Sequence, residues 1–507
     1  MATNLFTNFQ AHFPADHHAP FLLLPDGGSI SYAELLVRTA RLANLFVAMG
    51  VRPGDRIAAQ TDKSPDALLV YLASLRAGGV YLPLNPDYTA AEVRYFLDDA
   101  EPALFICCPE TEPEMARLCG ELGVPNLLTL GANGAGTLVD TAAEQPAEFE
   151  DVRRADDDLV AILYTSGTTG RSKGAMLTAR NLLSNAETLR DHWRVTPHDC
   201  LLHALPIYHT HGLFVATNVA LVAGSSMIFL SRFSVPELIR LMPLATVLMG
   251  VPTFYTRLLA DPALTRDVTA AMRLFISGSA PLSAETHKQF SERTGHAILE
   301  RYGMTETNMI TSNPYDGDRV PGSVGFGLPG VAVRIADPET GNVVADGEVG
   351  VIEVRGPNVF KGYWRMPEKT AEEHRADGFF ITGDLARRDK RGYIHIVGRA
   401  KDLIISGGLN VYPAEVEAGL DAIDGVAESA VIGVPHPDFG ETVVAVVRVE
   451  RDSLGEQDVQ AALGDSLARF KQPRRVIFVT ELPRNAMGKV QKNLLRERYA
   501  SLFANEL

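Results

Sequence analysis

Short apolar runs alternate with amphipathic helical stretches along the first part of the chain. The first of these helices has a capping box pattern, because Ser31 precedes Glu34 by three residues at the head of an apolar helical run. The runs that follow predict strands over 55–60, 79–84 and 103–108, and helices over 66–77 and 90–99. Alternation of this kind predicts a parallel sheet that is covered by helices.

The same pattern returns further along the chain and then changes. Thr178 can cap a helix that runs to Asp191. A second series of strands and helices is predicted through residues 205–212, 247–257 and 274–281. Beyond Asn313, glycine and proline separate short strands such as 349–354, which indicates a small antiparallel β subdomain.

The composition changes again at residues 398–402. Beyond this point the sequence predicts helices over 413–420 and 456–470, and strands over 427–432, 442–449 and 476–479. A chain of 507 residues is too long for one ordinary core. We therefore expect an α/β fold, with two helix-covered sheets and the β subdomain in a large N-terminal domain of residues 1–398, and a small α+β C-terminal domain of residues 403–507.

Bulk composition excludes several kinds of partner. Hydrophobic residues make up 46% of the chain and charged residues 21%, which is typical of a soluble globular protein and not of a disordered or membrane protein. The net charge of −15 argues against nucleic acid or an anionic membrane as a partner. Cys107, Cys108, Cys119 and Cys200 lack the paired spacing of a zinc site. Since no apolar run reads as a signal peptide or a membrane span, we expect a cytoplasmic protein.

A loop with phosphate-binding chemistry follows the predicted buried strand 159–163. Residues 164–174 read Tyr-Thr-Ser-Gly-Thr-Thr-Gly-Arg-Ser-Lys-Gly. The glycines relax the backbone, hydroxyl and N–H groups can donate to phosphate oxygens, and Lys173 supplies a positive charge. We expect this loop to lie between a strand and the N-terminus of the helix that Thr178 caps, where the helix dipole favours anions. A polar connector is the alternative, and the Walker pattern does not fit, because no Gly-Lys-Ser/Thr closes the loop.

Three further side chains are candidates for contact with a nucleotide. Glu306 follows the strand-like residues 297–299 and could hold a Mg²⁺ ion that bridges ATP phosphates. Asp384 can accept hydrogen bonds from both ribose hydroxyls, because an ionised carboxylate has two acceptor oxygens. Lys489 lies in a loop before the last helix. Each has an ordinary alternative: a surface or capping Glu, an Asp in a tight turn, and a solvated Lys.

The order of these motifs resembles the adenylate-forming superfamily, the acyl-CoA synthetases and their relatives. The sequence is most similar to malonyl-CoA synthetases at residues 208–213, 250–253, 300–309 and 485–492. The resemblance implies binding of ATP or AMP by Thr165, Ser166, Gly167, Thr168, Thr169, Gly170, Lys173, Ser279, Ala280, Tyr302, Gly303, Thr305, Asp384 and Arg399. It implies contacts with the acid substrate at Arg257, Arg301, His209, Thr210, Ser277 and Met309, and with coenzyme A at Gly407 and Gly408.

The resemblance also implies catalytic roles for Lys489 and Glu306, with Glu306 as the Mg²⁺ ligand. His209 is a further catalytic candidate, to orient the acyl group and assist attack by the thiol, and a structural histidine is the alternative. It makes residues 399–402 a hinge centred on Lys401, about which a mobile C-terminal domain reorients between two half-reactions. Acetylation of Lys489 by a lysine acetyltransferase would remove its charge and is a candidate for an off-switch.

Malonate places a second carboxylate inside the site, and its burial without a partner would cost several kcal/mol or more. The site therefore needs an arginine, for which Arg257 and Arg301 are candidates, although either could instead form a surface or structural ion pair. The resemblance places Thr210 and Met309 around C2 of the malonyl unit, where they would decide whether a methyl branch is tolerated.

We therefore expect an ATP-dependent malonate:CoA ligase that uses ATP, Mg²⁺ and coenzyme A, with methylmalonate as a further candidate substrate. The reaction has two steps, through malonyl-AMP, with release of pyrophosphate and then AMP. Three alternatives remain open: a ligase for another short acid, a phosphotransferase that forms ADP, and a catalytically silent nucleotide-binding or carrier-loading module.

Overall fold

The computed structural model of the chain describes residues 4–165, 172–406, 409–437, 439–449, 454–464, 467–485 and 488–503. In chain order its strands β1 to β24 are Pro20–Leu23, Ser29–Ser31, Arg56–Gln60, Val80–Pro83, Leu104–Cys107, Leu127–Thr129, Leu159–Thr165, Lys173–Thr178, Cys200–His203, Ser226–Phe229, Val247–Gly250, Leu274–Ser277, Leu299–Met304, Asn308–Ser312, Phe326–Gly327, Ala332–Ala336, Gly350–Arg355, Phe380–Arg388, Ile394–Arg399, Ile404–Ser406, Leu409–Val411, Val426–His436, Gly440–Val449 and Arg475–Val479. Its α-helices α1 to α15 are Leu5–Gln10, Tyr32–Ala48, Pro65–Arg76, Ala90–Ala100, Glu112–Leu122, Thr137–Ala143, Ala179–His192, Asn218–Ala223, Val235–Leu241, Pro252–Ala260, Ala284–Thr294, Pro367–Glu372, Pro413–Asp421, Glu456–Gly464 and Lys492–Tyr499.

The first sheet has the strand order β6-β5-β3-β4-β7-β8 and is parallel except at one edge. This confirms the parallel sheet that the alternation predicts. Helix α2 begins with the expected capping box, in which Ser31 and Glu34 bond to each other's backbone N–H groups. Helices α4 and α5 bury one face each, whereas α3, between β3 and β4, is buried on all sides.

The position of the phosphate loop in this sheet was predicted wrongly. Strand β8 follows the loop and pairs with β7 in antiparallel fashion, so the loop connects two strands. Thr178 does cap α7, with Asn181 as its partner, but it does so at the far end of β8. The helix dipole therefore does not act at the loop. The apolar side chains of β8 pack in the sheet, so these residues pair with β7 and helix α7 begins only after them.

A second sheet of nine strands has the order β15-β14-β13-β12-β11-β9-β10-β1-β2. Strands β1, β10, β9, β11, β12 and β13 are parallel, whereas β14, β15 and β2 run antiparallel to their neighbours. Strand β13 extends to Met304, further than the strand-like residues 297–299 predict. Thr305 and Glu306 consequently leave the sheet at its carboxyl edge, where ligands of α/β proteins commonly bind.

Two smaller sheets complete the fold. The antiparallel order β16-β17-β18-β19 confirms the predicted β subdomain. The C-terminal sheet has the order β21-β20-β23-β22 with β24 beside β23, and helices pack on both of its faces because β22 and β23 are apolar on both sides. Helix α14 ends at Gly464, within the helix predicted over 456–470, and a 3-10 turn at Arg469–Lys471 follows.

The fold is thus the expected α/β architecture, a large N-terminal part with a β subdomain and a smaller C-terminal domain. In the described part of the chain, no helix has the length and apolar character needed to cross a membrane.

Candidate active site

A buried arginine that has no counter-ion among the described residues marks the centre of the candidate site. Arg301 lies on β13 and is only 3% exposed. Its Nε and Nη2 atoms have no hydrogen-bond partner in the described structure. A Cβ on Gly278 would lie 2.3 Å from its Cζ, so glycine is required there for the guanidinium to fit. Burial lowers the pKa of Arg301 to about 9. A buried cation in this state is a ready site for an anion.

Other polar atoms without partners lie around this arginine. The Oγ of Ser277, at the end of β12, and the Nε2 of His211 are both buried and unbonded in the described structure. The Nδ1 of His211 lies 3.2 Å from the Oγ of Ser279. Ser279 itself has a φ of 71°, a left-handed conformation that costs free energy in a non-glycine residue. Such strain is common where a backbone is held for binding. Together these groups can donate to, or accept from, a polar ligand.

His209 is the neutral member of the site. Its Nδ1 accepts a hydrogen bond of 3.3 Å from the backbone N–H of His211. Burial, together with the positive charges of Lys489 and Arg301, lowers the pKa of His209 to about 3. The imidazole is therefore uncharged near neutral pH. Because Nδ1 accepts this hydrogen bond, the Nε2 of the neutral ring carries the proton and can donate a hydrogen bond to a ligand.

Two predicted wall residues are buried. Thr210 is 2% exposed, and its hydroxyl donates to the Thr305 hydroxyl over 3.4 Å. Met309, also 2% exposed, lies on β14, and the side-chain amide of Asn185 bonds both its N–H and its carbonyl. Their contact with C2 of the acid stays a prediction.

Arg257 is placed differently from Arg301. It lies exposed on α10, with its guanidinium carbon 5.8 Å from the ring centroid of Phe233. An exposed guanidinium is already solvated and does not require an anion. Its contact with the acid stays a prediction, and the geometry supports Arg301 more strongly.

The candidate metal ligand lies in a polar cluster at the edge of the sheet. Glu306 is 4% exposed, and its Oε1 accepts hydrogen bonds from Tyr363 over 3.0 Å and from Thr165 over 3.4 Å. Burial raises the pKa of Glu306. Lys173 lies nearby on β8 and forms an ion pair of 3.0 Å with Glu373. Lys173, and Thr165 with its bond to Glu306, thus place a cation and a buried carboxylate at the two ends of the phosphate loop.

The candidate ribose ligand is already oriented by two partners. Asp384 lies on β18, where its Oδ2 accepts a hydrogen bond of 2.6 Å from Tyr302. Its Oδ1 lies 3.2 Å from the Nε of Arg399, the last residue of β19. Gly303, next to Tyr302, leaves no space for a side chain, because a Cβ would lie 2.0 Å from the Asn308 carbonyl oxygen. The carboxylate is thereby fixed at the edge of the β subdomain.

The C-terminal loop reaches this same region. Lys489 is partly buried, and its backbone N–H donates to Asn485 over 3.0 Å. Burial and the charge of Arg399 lower the pKa of Lys489 to about 8, although Asp384 and Glu306 act in the opposite direction. Its ammonium group therefore lies within the electrostatic reach of both candidate nucleotide ligands.

Several predicted residues make no specific contribution to this picture. Ala280 is half-buried in the turn after β12, and Lys401 lies in a 3-10 turn, Ala400–Asp402, where burial lowers its pKa. The predicted contacts that lie outside the described residues are Ser166, Gly167, Thr168, Thr169, Gly170, Gly407 and Gly408.

Sequence reasoning missed three members of the site. The spacing of two residues between His209 and His211 could have indicated the second histidine. Tyr363 and Glu373 belong to none of the motifs that the sequence analysis identified.

Comparison with known proteins gives a consistent family. The pattern of the AMP-binding enzyme family matches residues 6–364, and that of the AMP-binding enzyme C-terminal domain matches residues 415–489. The protein in the crystal structure of ATP-bound MatB from Rhodopseudomonas palustris is 59% identical to this chain. The two structures have a TM-score of 0.97, and the match covers 99% of this chain and 100% of that one. A feruloyl-CoA synthase from Amycolatopsis is 37% identical over 93% of this chain and 94% of its own. The mitochondrial malonate–CoA ligase of Mus musculus is 36% identical over 94% of this chain and 88% of its own.

Proposed function

Because the chain belongs to the AMP-binding enzyme family and is an AMP-forming acid–CoA ligase, we propose that the acid it activates is malonate. The observation that carries this proposal is the buried guanidinium of Arg301, which has no anionic partner in the part of the chain that the structure describes. A monocarboxylate would leave that charge without a partner, whereas the distal carboxylate of malonate would neutralise it.

The relatives support malonate but do not decide it alone. The mouse relative is a malonate–CoA ligase, and a feruloyl-CoA synthase is as similar to this chain. A feruloyl group is large and largely apolar, so a buried cation at the end of its pocket would be unfavourable. The charge of Arg301 therefore favours an acid with a second anionic group. Methylmalonate meets that requirement as well and is proposed as a second substrate.

In the first step, a carboxylate oxygen of malonate attacks the α-phosphorus of ATP, malonyl-AMP forms and pyrophosphate leaves. We assign to Lys489 the stabilisation of the charge that builds on the α-phosphate oxygens. The Glu306 carboxylate fits a Mg²⁺ ligand, because it is a hard oxygen donor held in place by two hydroxyls, and the ion would neutralise phosphate charge. Asp384 would hold the ribose.

In the second step, the thiol of coenzyme A attacks the carbonyl carbon of malonyl-AMP and AMP leaves. The mixed anhydride is already activated, so the enzyme needs no nucleophile of its own. The thiol proton leaves to solvent, and we propose that neutral His209 orients the acyl group in this step. We propose reorientation of residues 403–507 about the hinge 399–402 between the steps, and we retain acetylation of Lys489 as a candidate off-switch. A Lys489→Gln variant that keeps adenylation activity would rule out that switch.

The experiment measures release of pyrophosphate from ATP with malonate, methylmalonate, acetate and butyrate, with and without coenzyme A. Wild type should prefer malonate. Arg301→Met should lower kcat/KM for malonate by about a hundredfold or more, because the second carboxylate then lies buried without a partner. Binding of AMP and the melting temperature should not fall, since the substitution removes an unpaired buried charge.

Two further arginine variants complete the design. Arg240→Met is the matched control, because Arg240 is exposed and paired with Glu237 away from the site. Arg257→Met tests the other predicted arginine and should have a smaller effect than Arg301→Met. A wild type that prefers acetate or butyrate, with no response to Arg301→Met, would leave the AMP-forming chemistry intact and reject malonate.

A further inference from the structure

The lysine of the phosphate loop already has a counter-ion within the protein. The Nζ of Lys173 lies 3.0 Å from the Oε1 of Glu373, and both side chains are largely covered, with 14% and 22% of their surfaces exposed. The same ammonium group lies 4.0 Å from the ring centroid of Tyr363. Its charge is thus satisfied by an ion pair and an aromatic face before any phosphate is bound.

This ion pair is built on fixed backbone. Strand β8 carries Lys173, and residues 361–364 pair along its edge: the N–H of Met176 donates to the Gly362 carbonyl over 2.9 Å, and the N–H of Trp364 donates to the Gly174 carbonyl over 2.7 Å. Glu373 directly follows α12, and its backbone N–H and carbonyl are both bonded. The two charges are therefore held together by two anchored elements rather than by a flexible surface contact.

Tyr363 lies between the two carboxylates of this cluster. Its hydroxyl donates to Glu373 over 2.6 Å and to Glu306 over 3.0 Å, although it has a single hydrogen for these two carboxylates. Lys173 and, at 3.3 Å from Glu373, Lys369 supply the positive charge. An arriving polyphosphate must therefore compete with a carboxylate for Lys173.

We propose that Glu373 is an internal competitor of the polyphosphate for Lys173, which weakens the binding of ATP and pyrophosphate and so promotes the departure of pyrophosphate. This inference rests on the proposed function in one respect, the contact between Lys173 and the phosphates. When ATP or pyrophosphate binds, Lys173 leaves Glu373. When pyrophosphate dissociates, Lys173 forms its ion pair with Glu373 again. Glu373 acts through Lys173 and is a positioning residue.

The test measures binding of Mg²⁺·ATP, pyrophosphate and AMP to the full chain by calorimetry, without acid or coenzyme A. Glu373→Gln keeps the shape and the hydrogen-bonding atoms but removes the charge. It should bind ATP and pyrophosphate about two- to fivefold more tightly, which is the range for a partly exposed ion pair, and leave the affinity for AMP unchanged. In a Lys173→Met background the same substitution should have no effect.

The matched control is Glu372→Gln, which makes the same charge change one residue away. Glu372 is paired with Lys369, its side chain is 66% exposed, and it has no contact with Lys173 among the described interactions. Its substitution should change none of the three affinities. Thermal unfolding of each variant reports whether the fold is kept.

Three results would overturn the inference. Weaker binding of ATP by Glu373→Gln would make Glu373 a support for the site and not a competitor. Tighter binding that persists in the Lys173→Met background would show that the negative charge of Glu373 acts on the phosphates directly and not through Lys173. If Lys173→Met alone leaves ATP and pyrophosphate affinity unchanged, the phosphate contact of Lys173 in the proposed function fails, and the inference fails with it.

Discussion

At the scale of single residues, the described buried charges are of two kinds. Glu353 is fully buried on β17 but lies 2.7 Å from both Arg334 and Arg375, so its desolvation is offset by two ion pairs. Arg301 is almost as buried, and no described residue places an anion beside it. Since an unpaired buried charge destabilises a fold, Arg301 is best understood as a group kept for a ligand.

The wall around the acid gives a prediction at this scale. Thr210→Ser removes one buried methyl group and keeps the hydroxyl that bonds to Thr305. If the methyl group of Thr210 faces C2 of the acid, the space left should accept a methyl branch. We expect the ratio of kcat/KM for methylmalonate to that for malonate to rise about tenfold. The measurement is pyrophosphate release with each acid in competition.

Thr39→Ser is the matched control, because Thr39 is also buried but lies on α2, where its hydroxyl bonds to the Leu35 carbonyl. An equal change of the ratio in both variants would show that Thr210 does not line the acid pocket.

At the scale of elements, an irregular helix positions the acid site. Residues His211–Thr217 form a π-helical segment after β9, and such segments are frequent at functional sites. Its first turn is held from two sides, since His203 Nε2 lies 2.9 Å from the Gly212 carbonyl oxygen and Thr217 donates to the same oxygen over 3.0 Å. Gly212 packs against the chain before it, where a Cβ would lie 2.0 Å from the Pro206 carbonyl oxygen.

Gly212→Ala should therefore displace this segment together with His211. Overpacking of a tight contact costs about 1–3 kcal/mol. We expect KM for malonate to rise about tenfold or more. KM for ATP should change little, because the candidate nucleotide ligands Glu306, Asp384 and Lys489 lie outside this segment. The readout is steady-state pyrophosphate release with each substrate varied in turn.

Gly224→Ala provides a control for simple destabilisation. Gly224 ends α8 with a φ of 63°, and a Cβ there would lie 2.4 Å from the His12 carbonyl oxygen. This variant should lower the melting temperature without a selective effect on malonate. A selective rise of KM for malonate in Gly224→Ala as well would argue against a local role for Gly212.

At the scale of the whole molecule, two sheets and one loop converge on the site. Arg301 and Glu306 come from the nine-stranded sheet, Asp384 and Arg399 from the β subdomain, and Lys489 from the C-terminal loop. The lysine therefore experiences charges of both signs from parts of the chain that are remote in sequence. Its protonation state depends on this assembly.

Adenylation should depend on pH through Lys489. Burial lowers its pKa to about 8, so the ammonium form is present below that pH and is lost as the pH rises through it. We expect kcat/KM for ATP, measured as pyrophosphate release at a malonate concentration well below its KM, to fall above about pH 8, since this ratio then reports the enzyme free of both substrates. Lys489→Arg should move this limb to higher pH, because guanidinium remains charged. A wild-type profile that stays flat from pH 7 to well above 8 would contradict the role of the Lys489 charge.

The amino-acid sequence by itself determined the local features of this protein. A capping box needs only two side chains three residues apart, so Ser31 and Glu34 predicted the start of α2 correctly. Alternating apolar runs specify which face of each segment is buried, and they predicted the parallel sheet and the β subdomain. The resemblance of the ordered motifs to the adenylate-forming superfamily also indicated the family that the comparison of the whole chain shows.

Only the tertiary structure decided which charges are buried and what they meet. Arg257 and Arg301 were equal candidates in the sequence, yet one is exposed on a helix and the other is enclosed by neighbouring strands. Glu373 meets Lys173 across 200 residues of sequence. The physical reason is that the free energy of a charge depends on the solvent and dipoles around it, and distant segments bring these together only when the sheets assemble.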